Sequence, residues 1–91
     1  MSLDEYELNR KESNQLDRWL HEAEGKRRSG VELIDNYRRD NGDRIRVYSV
    51  RGAVVRLRPD AVPPQIWMNG TSSAKDRAKI TIRRITGVSL Q

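Results

Sequence analysis

The sequence predicts an α+β protein in which N-terminal helices precede a small, strongly bent, five-stranded antiparallel barrel. Up to Gly42 the apolar residues recur at helical spacing, whereas after it β-branched residues dominate in short runs separated by glycine, proline or Asn-Gly. Five short strands within about fifty residues cannot fill a two-sheet sandwich, so a bent sheet that closes on itself is the economical arrangement. The 91 residues suffice for one small domain.

The first helix lies in residues 1–28, which we interpret as a polar helical extension. Its apolar positions fall at i, i+3, i+4 and i+7, on one helix face: Leu16, Trp19, Leu20 and Ala23. Acidic residues crowd its start and the basic residues 26–28 follow its end, as the helix dipole favours, and Gly25 is the expected stop. The residues before Leu16 are so polar that we expect them to order only against a partner.

The second part of the chain, residues 29–91, is expected to begin with a shorter helix. Ser29 and Glu32 have the spacing of a capping box, and Asn41-Gly42 supplies residues that tolerate positive φ at a helix end. The short link between the two helices keeps a helix-turn-helix, and hence a DNA-binding regulator, as an alternative. In that alternative Glu32 and Asp35 would face the phosphates.

Five strands follow the change in composition. Their runs are RIRVYSV, AVVRLR, QIWMN, AKITIRRI and TGVSLQ. Arg51-Gly52 marks the first turn, the prolines within residues 59–64 interrupt the next strand, and Asn69-Gly70 opens a polar loop.

The charges are distributed unevenly along the chain, which has a formal net charge of +5. Residues 1–43 carry eight basic and eleven acidic side chains, and residues 44–91 carry ten basic and two acidic ones. We expect the basic half to attract a polyanion, with solubility alone as the other explanation of its charge.

We expect no enzyme activity, no metal and no cofactor. The chain has no cysteine and a single histidine, His21, and its carboxylates lie almost wholly in the predicted helices. A metal cluster, a catalytic triad or a paired-carboxylate site therefore has too few members. No apolar run is long enough to span a membrane, and the acidic start is unlike a signal peptide, so we expect a cytoplasmic protein.

The arginines of the predicted strands are the positive signal for function. Arginine binds phosphate bidentately, and an aromatic residue beside it is a pairing that stacks unpaired bases. Alternation in RIRVYSV places Ile45 and Val47 on one face and Tyr48 on the other, which favours an exposed Tyr48. Trp67 is expected to fill the core, with a ligand-facing position as the alternative. The nucleic-acid-binding residues expected on these grounds are Arg44, Arg46, Tyr48, Arg51, Arg56, Arg58, Arg83 and Arg84.

The run LIDNYRRDNGDRIRVYSVRG resembles the start of the Hfq branch of the Sm-like RNA-binding proteins, where a short helix ending in paired arginines leads into a strand and a glycine turn. The run QIWMNGTSSAKDRAKITIRRITGV is similar to that family's third strand, variable loop and closing strand pair. The resemblance covers Leu33 to Leu90. It implies an Sm/SH3-like barrel that binds single-stranded RNA and assembles into a ring through its last two strands.

The same resemblance implies roles for particular residues. Arg38 and Arg39 would form a basic rim at the helix end, Tyr48 would stack a base, and Arg83 would lie near the pore. The chain departs from the family in its second strand, which lacks the central glycine, and at residues 81–83, where Thr-Ile-Arg replaces a Tyr-Lys-His signature.

The runs RGAVVRLRPDAV and KITIRRITGVSL also resemble part of the bacterial pleckstrin-homology-like domains. That fold needs further strands and a C-terminal helix, for which we expect too few residues in this chain. We therefore expect a non-enzymatic protein that binds single-stranded RNA or another polyanion through arginine-rich strands and forms a homo-oligomer through edge strands. The alternative is a structural or assembly protein of a phage or virus particle, in which those edges join subunits.

Overall fold

One antiparallel sheet carries two helices on one of its faces, in a computed structural model that describes residues 2–90. In chain order the elements are β1 (Ser2–Glu7), α1 (Arg10–Ala23), β2 (Val31–Arg38), β3 (Arg44–Val50), β4 (Ala53–Arg58), β5 (Gln65–Gly70) and α2 (Ser72–Thr86). The strand order across the sheet is β1-β5-β4-β3-β2, and all neighbouring strands are antiparallel.

The expected α+β class with a five-stranded antiparallel sheet is confirmed, although only three of the five predicted strands, now β3, β4 and β5, belong to it, and the expected barrel is not confirmed. The sheet is open, and its two edge strands are β1, which pairs only with β5, and β2, which pairs only with β3. Both helices pack on one face and fill the space that a closing sheet would need. The segments expected to be the fourth and fifth strands are α2 and the irregular residues 87–90.

Helix α1 confirms the periodicity read from the sequence. Leu16, Leu20 and Ala23 are buried. Asn9 caps the helix, because its Oδ1 accepts the Glu12 N–H at 2.7 Å while Glu12 Oε1 accepts the Asn9 N–H at 3.0 Å. The polar residues at the start of the chain form β1, which orders against β5.

The segment expected to form a second helix is strand β2, so that prediction is wrong. β2 pairs with β3 along its length, with a bulge between Leu33 and Asp35, and Asn41-Gly42 lies in the hairpin turn. Val31 is its one buried residue. A short helix with so little to bury would be marginal, whereas the strand satisfies its backbone along β3.

The segment expected to form the fourth strand is helix α2. Its β-branched residues favoured a strand, but Ala74, Ala78 and Ile82 recur every four residues and are buried on one helix face. Thr71 caps the start by accepting the Ala74 N–H at 3.2 Å, and Gly87 ends the helix with φ +79°. Packing against the sheet and both caps outweigh the β propensity.

The core lies between the helices and the sheet face they cover. Its largest members are Leu16, Leu20, Tyr48, Val50, Val55, Leu57, Ile66, Met68 and Ile82. Tyr48 is 0% exposed, so its expected place on an exposed face is wrong. The alternation itself is correct, because Ile45 and Val47 lie on the other face. The helices cover the Tyr48 face, whereas Ile45 and Val47 are buried beside Tyr37 and Arg56, their cross-strand partners.

Ion pairs attach β1 to α2. Asp4 Oδ2 lies 3.1 Å from Nζ of the buried Lys75 and 3.6 Å from Nζ of Lys79, which also lies 5.3 Å from the centre of the Tyr6 ring. The hydrogen bond from Lys75 holds the pKa of the Asp4 carboxyl below its usual value. Within residues 2–90 neither helix is long and apolar enough to cross a membrane.

Candidate nucleic-acid interface

The sheet face turned away from the helices, called the open face here, carries part of the predicted arginine surface. On β4 and β5 it presents Val54, Arg56, Arg58, Gln65, Trp67 and Asn69. The β1 edge of this face is acidic, because Glu5 and Glu7 lie opposite Trp67 and Gln65.

Arg56, Arg58 and Trp67 form what we call the Arg–Trp cluster. Each guanidinium carbon lies 5.4 Å from the centre of the indole ring, within the range of a cation–π interaction. The indole Nε1 is buried without a hydrogen-bond partner among the described residues. Trp67 is half-buried on the open face and stands outside the core cluster, so the ligand-facing alternative for this residue is the one that its position favours.

Tyr48 lies in the core and not at the predicted site. Burial raises the pKa of its hydroxyl, although the guanidinium of Arg46 lies close enough to oppose that shift. The hydroxyl oxygen makes no hydrogen bond of good geometry within residues 2–90. A side chain in this position cannot stack a base unless the core opens.

Three of the predicted arginines are neutralised by carboxylates. Arg44 makes a bidentate pair with Asp60, with Nε–Oδ2 and Nη2–Oδ1 distances of 3.1 Å each. This guanidinium and the Arg44 backbone N–H hold the pKa of the Asp60 carboxyl below its usual value. Arg46 Nη1 lies 3.0 Å from Asp17 Oδ1 on α1. Arg58 donates to Gln65 Oε1 at 2.8 Å, and its Nη2 lies 3.9 Å from a carboxylate oxygen of Asp43.

The remaining predicted arginines lie on separate elements. Arg38 and Arg39 are exposed where β2 leads into its hairpin turn, and Arg38 Nη1 donates to the Gly42 carbonyl at 2.9 Å. Arg83 and Arg84 are exposed in the last turn of α2, where cations complement the helix dipole. The structure therefore does not bring the predicted residues together on one surface.

A different group of cations lies around Arg51. Arg51 is the one member of this group that the sequence predicted as a nucleic-acid-binding residue. Arg51 lies in the two-residue turn between β3 and β4 and shares a cleft of about 500 Å³ with the α1–β2 loop. That loop contributes Lys26, Arg27 and Arg28 to the lining. Arg77 of α2 reaches the same turn, since a Cβ built at Gly52 would lie 3.9 Å from its Nη2. We call Lys26, Arg27, Arg28, Arg51 and Arg77 the basic end.

No member of the basic end forms an ion pair within residues 2–90. Glu32 is the only carboxylate that lines the cleft among these residues. The sequence pattern indicates residues 26–28 only as basic residues that follow the end of a helix, and it does not predict that they line a cleft. The available signal was a run of three cations next to Gly25 and Gly30, which permit a compact loop with positive φ.

No protein-family model matches the chain, and no curated protein or solved structure does either.

Proposed function

We propose that this is a non-enzymatic nucleic-acid-binding protein that holds single-stranded RNA by its phosphates at the basic end. The observation that carries the proposal is the concentration of five cations, from three separate segments, that have no ion-pair partner in the described chain. Elsewhere the carboxylates already neutralise Arg44, Arg46 and Arg58. Phosphate oxygens would supply the missing counter-charge, since arginine binds them bidentately.

The neighbouring open face favours a single strand over a duplex. Ser49 lines the cleft and points to the same side of the sheet as Trp67. The two residues lie two strands apart, which is about 10 Å across the sheet. Exposed Leu3 and Val54 border a depression of about 220 Å³ next to the indole. Cations together with an aromatic ring on an open surface are the combination that binds unpaired nucleotides.

Filter binding of a single-stranded RNA across a salt series tests this function. The slope of log K against log[salt] is about −0.7 for each phosphate neutralised on a single strand. We expect Arg27→Gln/Arg28→Gln to make the slope shallower by about 1.4. The matched control, Arg38→Gln/Arg39→Gln, removes the same charge where β2 meets its hairpin turn and should leave the slope unchanged.

Two results would contradict the proposal. Absence of RNA binding by the wild-type protein at low salt removes it. Equal losses in the two double variants show that net charge, and not the basic end, attracts the RNA, and would restore Arg38 and Arg39 as part of the surface.

Assembly is the second candidate function, and edge strand β2 favours it. Seven of its eight residues are exposed, and Leu33, Ile34 and Tyr37 are 42%, 55% and 40% exposed. Such an edge can add a strand of another chain. In an assembly protein, self-association would persist when the cations of the basic end are removed.

A further inference from the structure

Arg51 occupies a backbone position that ordinarily selects other residues. Val50 and Ala53 pair across the end of the β3–β4 hairpin, so Arg51 and Gly52 form its two-residue loop, with φ values of +52° and +89°. A loop with positive φ at both positions has the geometry of a type I′ turn, for which Asn, Asp or Gly is strongly preferred at the first position. A bulky arginine in this conformation is strained, and strain of this kind concentrates at functional sites.

The surroundings hold the Arg51 side chain in place. Its backbone N–H donates to the Gly30 carbonyl at 3.0 Å. Its stem crosses Gly30 so closely that a Cβ there would lie 3.0 Å from the Arg51 Cδ. Gly30, with φ +73°, therefore leaves room for the stem, and the guanidinium lies at the cleft.

A second arginine that lines the cleft has the same strained backbone conformation. Arg28 is the other described non-glycine residue with positive φ, at +67°. Its loop is ordered by Ser29, whose single hydroxyl hydrogen is shared between the carbonyls of Ala23, at 2.8 Å, and Lys26, at 2.9 Å, and whose Oγ accepts the Val31 N–H at 3.2 Å. Both strained arginines of the described chain thus line the same cleft from two different segments.

We propose that this cleft is a specific site for a phosphate group, with Arg51 and Arg28 as its principal ligands and Lys26 and Arg27 as supporting cations. Four cations face the single carboxylate of Glu32, so the cleft has a large excess of positive charge for an anion to neutralise. The inference rests on the proposed function where the phosphate belongs to RNA, and it stands without it where the phosphate is free.

Inorganic pyrophosphate is the probe for the site. Titrated into ¹⁵N-labelled protein, it should shift the amide resonances of residues 25–30, 51 and 52 along a saturating curve. Arg51→Asn should weaken that binding about tenfold or more, because it removes a charge-assisted contact. The same variant should raise the midpoint of thermal unfolding by a few degrees, since asparagine suits the turn. Arg39→Asn, which removes an exposed charge outside the cleft, should change neither pyrophosphate binding nor, beyond a degree or so, the midpoint.

A non-saturating response, or wild-type affinity in a folded Arg51→Asn variant, overturns the site. Oligonucleotides of one sequence with a 5′-phosphate or a 5′-hydroxyl identify the source of the phosphate: preference for the former assigns a terminal phosphate, and equal affinity, lost in Arg51→Asn, assigns an internal one. RNA binding without a pyrophosphate response rejects the site and leaves the proposed function. A saturating pyrophosphate response without RNA binding rejects the proposed function and leaves the phosphate site.

Discussion

At the scale of single residues, Tyr48 shows how alternation can be correct while its consequence is not. The ring belongs to the buried face because α1 and α2 cover that face. We expect Tyr48→Ala to lower the free energy of unfolding by about 3–5 kcal/mol, since truncating a buried aromatic ring leaves a cavity. Tyr48→Phe should change it little, because the hydroxyl that it removes has no hydrogen-bond partner of good geometry.

Urea unfolding of both variants checks this prediction. Tyr37→Ala is the matched control, because Tyr37 is 40% exposed on edge strand β2 and its truncation should cost less stability than that of the fully buried Tyr48. A Tyr48→Ala protein with wild-type stability but weakened RNA binding would return Tyr48 to the interface.

Also at the scale of single residues, arginine has three different roles in this protein. Arg44 and Arg46 hold segments together through carboxylates, Arg56 covers an indole ring, and Arg51 lines a cleft without an ion pair in the described chain. What separates these roles is the group that lies within reach of each guanidinium, which belongs to a residue remote in sequence.

At the scale of elements, β2 is an edge strand that carries three large exposed side chains, Leu33, Ile34 and Tyr37. We expect the wild-type protein to form a homo-oligomer by pairing along this edge, and Ile34→Lys to weaken the association, because a lysine on an edge strand opposes pairing. Ile80→Lys is the control, since Ile80 is similarly exposed, at 62% against 55%, but lies on α2.

Light scattering during size-exclusion chromatography measures the effect as a change of molar mass. A wild-type protein that is monomeric at high micromolar concentration refutes this role of β2. Equal dissociation by the two lysine variants would place the contact elsewhere.

At the scale of the whole molecule, the uneven charge of the sequence is partly balanced within the fold. Carboxylates of residues 1–43 pair with cations of residues 44–91; the pairs are Asp4 with Lys75 and Lys79, Asp17 with Arg46, and Asp43 with Arg58. The basic half therefore does not present its ten cations as one surface. The basic end combines two cations of that half with three from the α1–β2 loop.

This internal pairing predicts how stability depends on pH. The pKa of Asp60 is lowered in the folded protein, so its ionised form contributes stability above the ordinary value of 3.8, and that stability is lost as the pH falls through the folded pKa. Asp60→Asn should be less stable than wild type at neutral pH, and the difference should shrink between about pH 5 and pH 2.

Thermal unfolding midpoints across that range measure the difference. Asp40→Asn, which removes an exposed carboxylate in the β2–β3 turn, should show no such convergence. A constant gap between Asp60→Asn and wild type would mean that the Arg44 pair does not carry the acid dependence.

Features that depend on near neighbours in the chain follow from the sequence alone. The spacing of Leu16, Leu20 and Ala23 predicted α1, and alternation placed Ile45 and Tyr48 on opposite faces of β3. The pair Arg51-Gly52 marked a turn. These predictions held because helix periodicity, strand alternation and turn geometry act over a few residues.

Features that depend on distant residues follow from packing in three dimensions. β2 is a strand because β3 satisfies its backbone, and α2 is a helix because its alanine face packs on the sheet. Which face of β3 is covered, and which arginines meet a carboxylate, follow from where α1 and α2 pack. The basic end unites residues 26–28, Arg51 and Arg77, which local pattern cannot connect, because burial and charge pairing are set by distances in space and not by spacing in sequence.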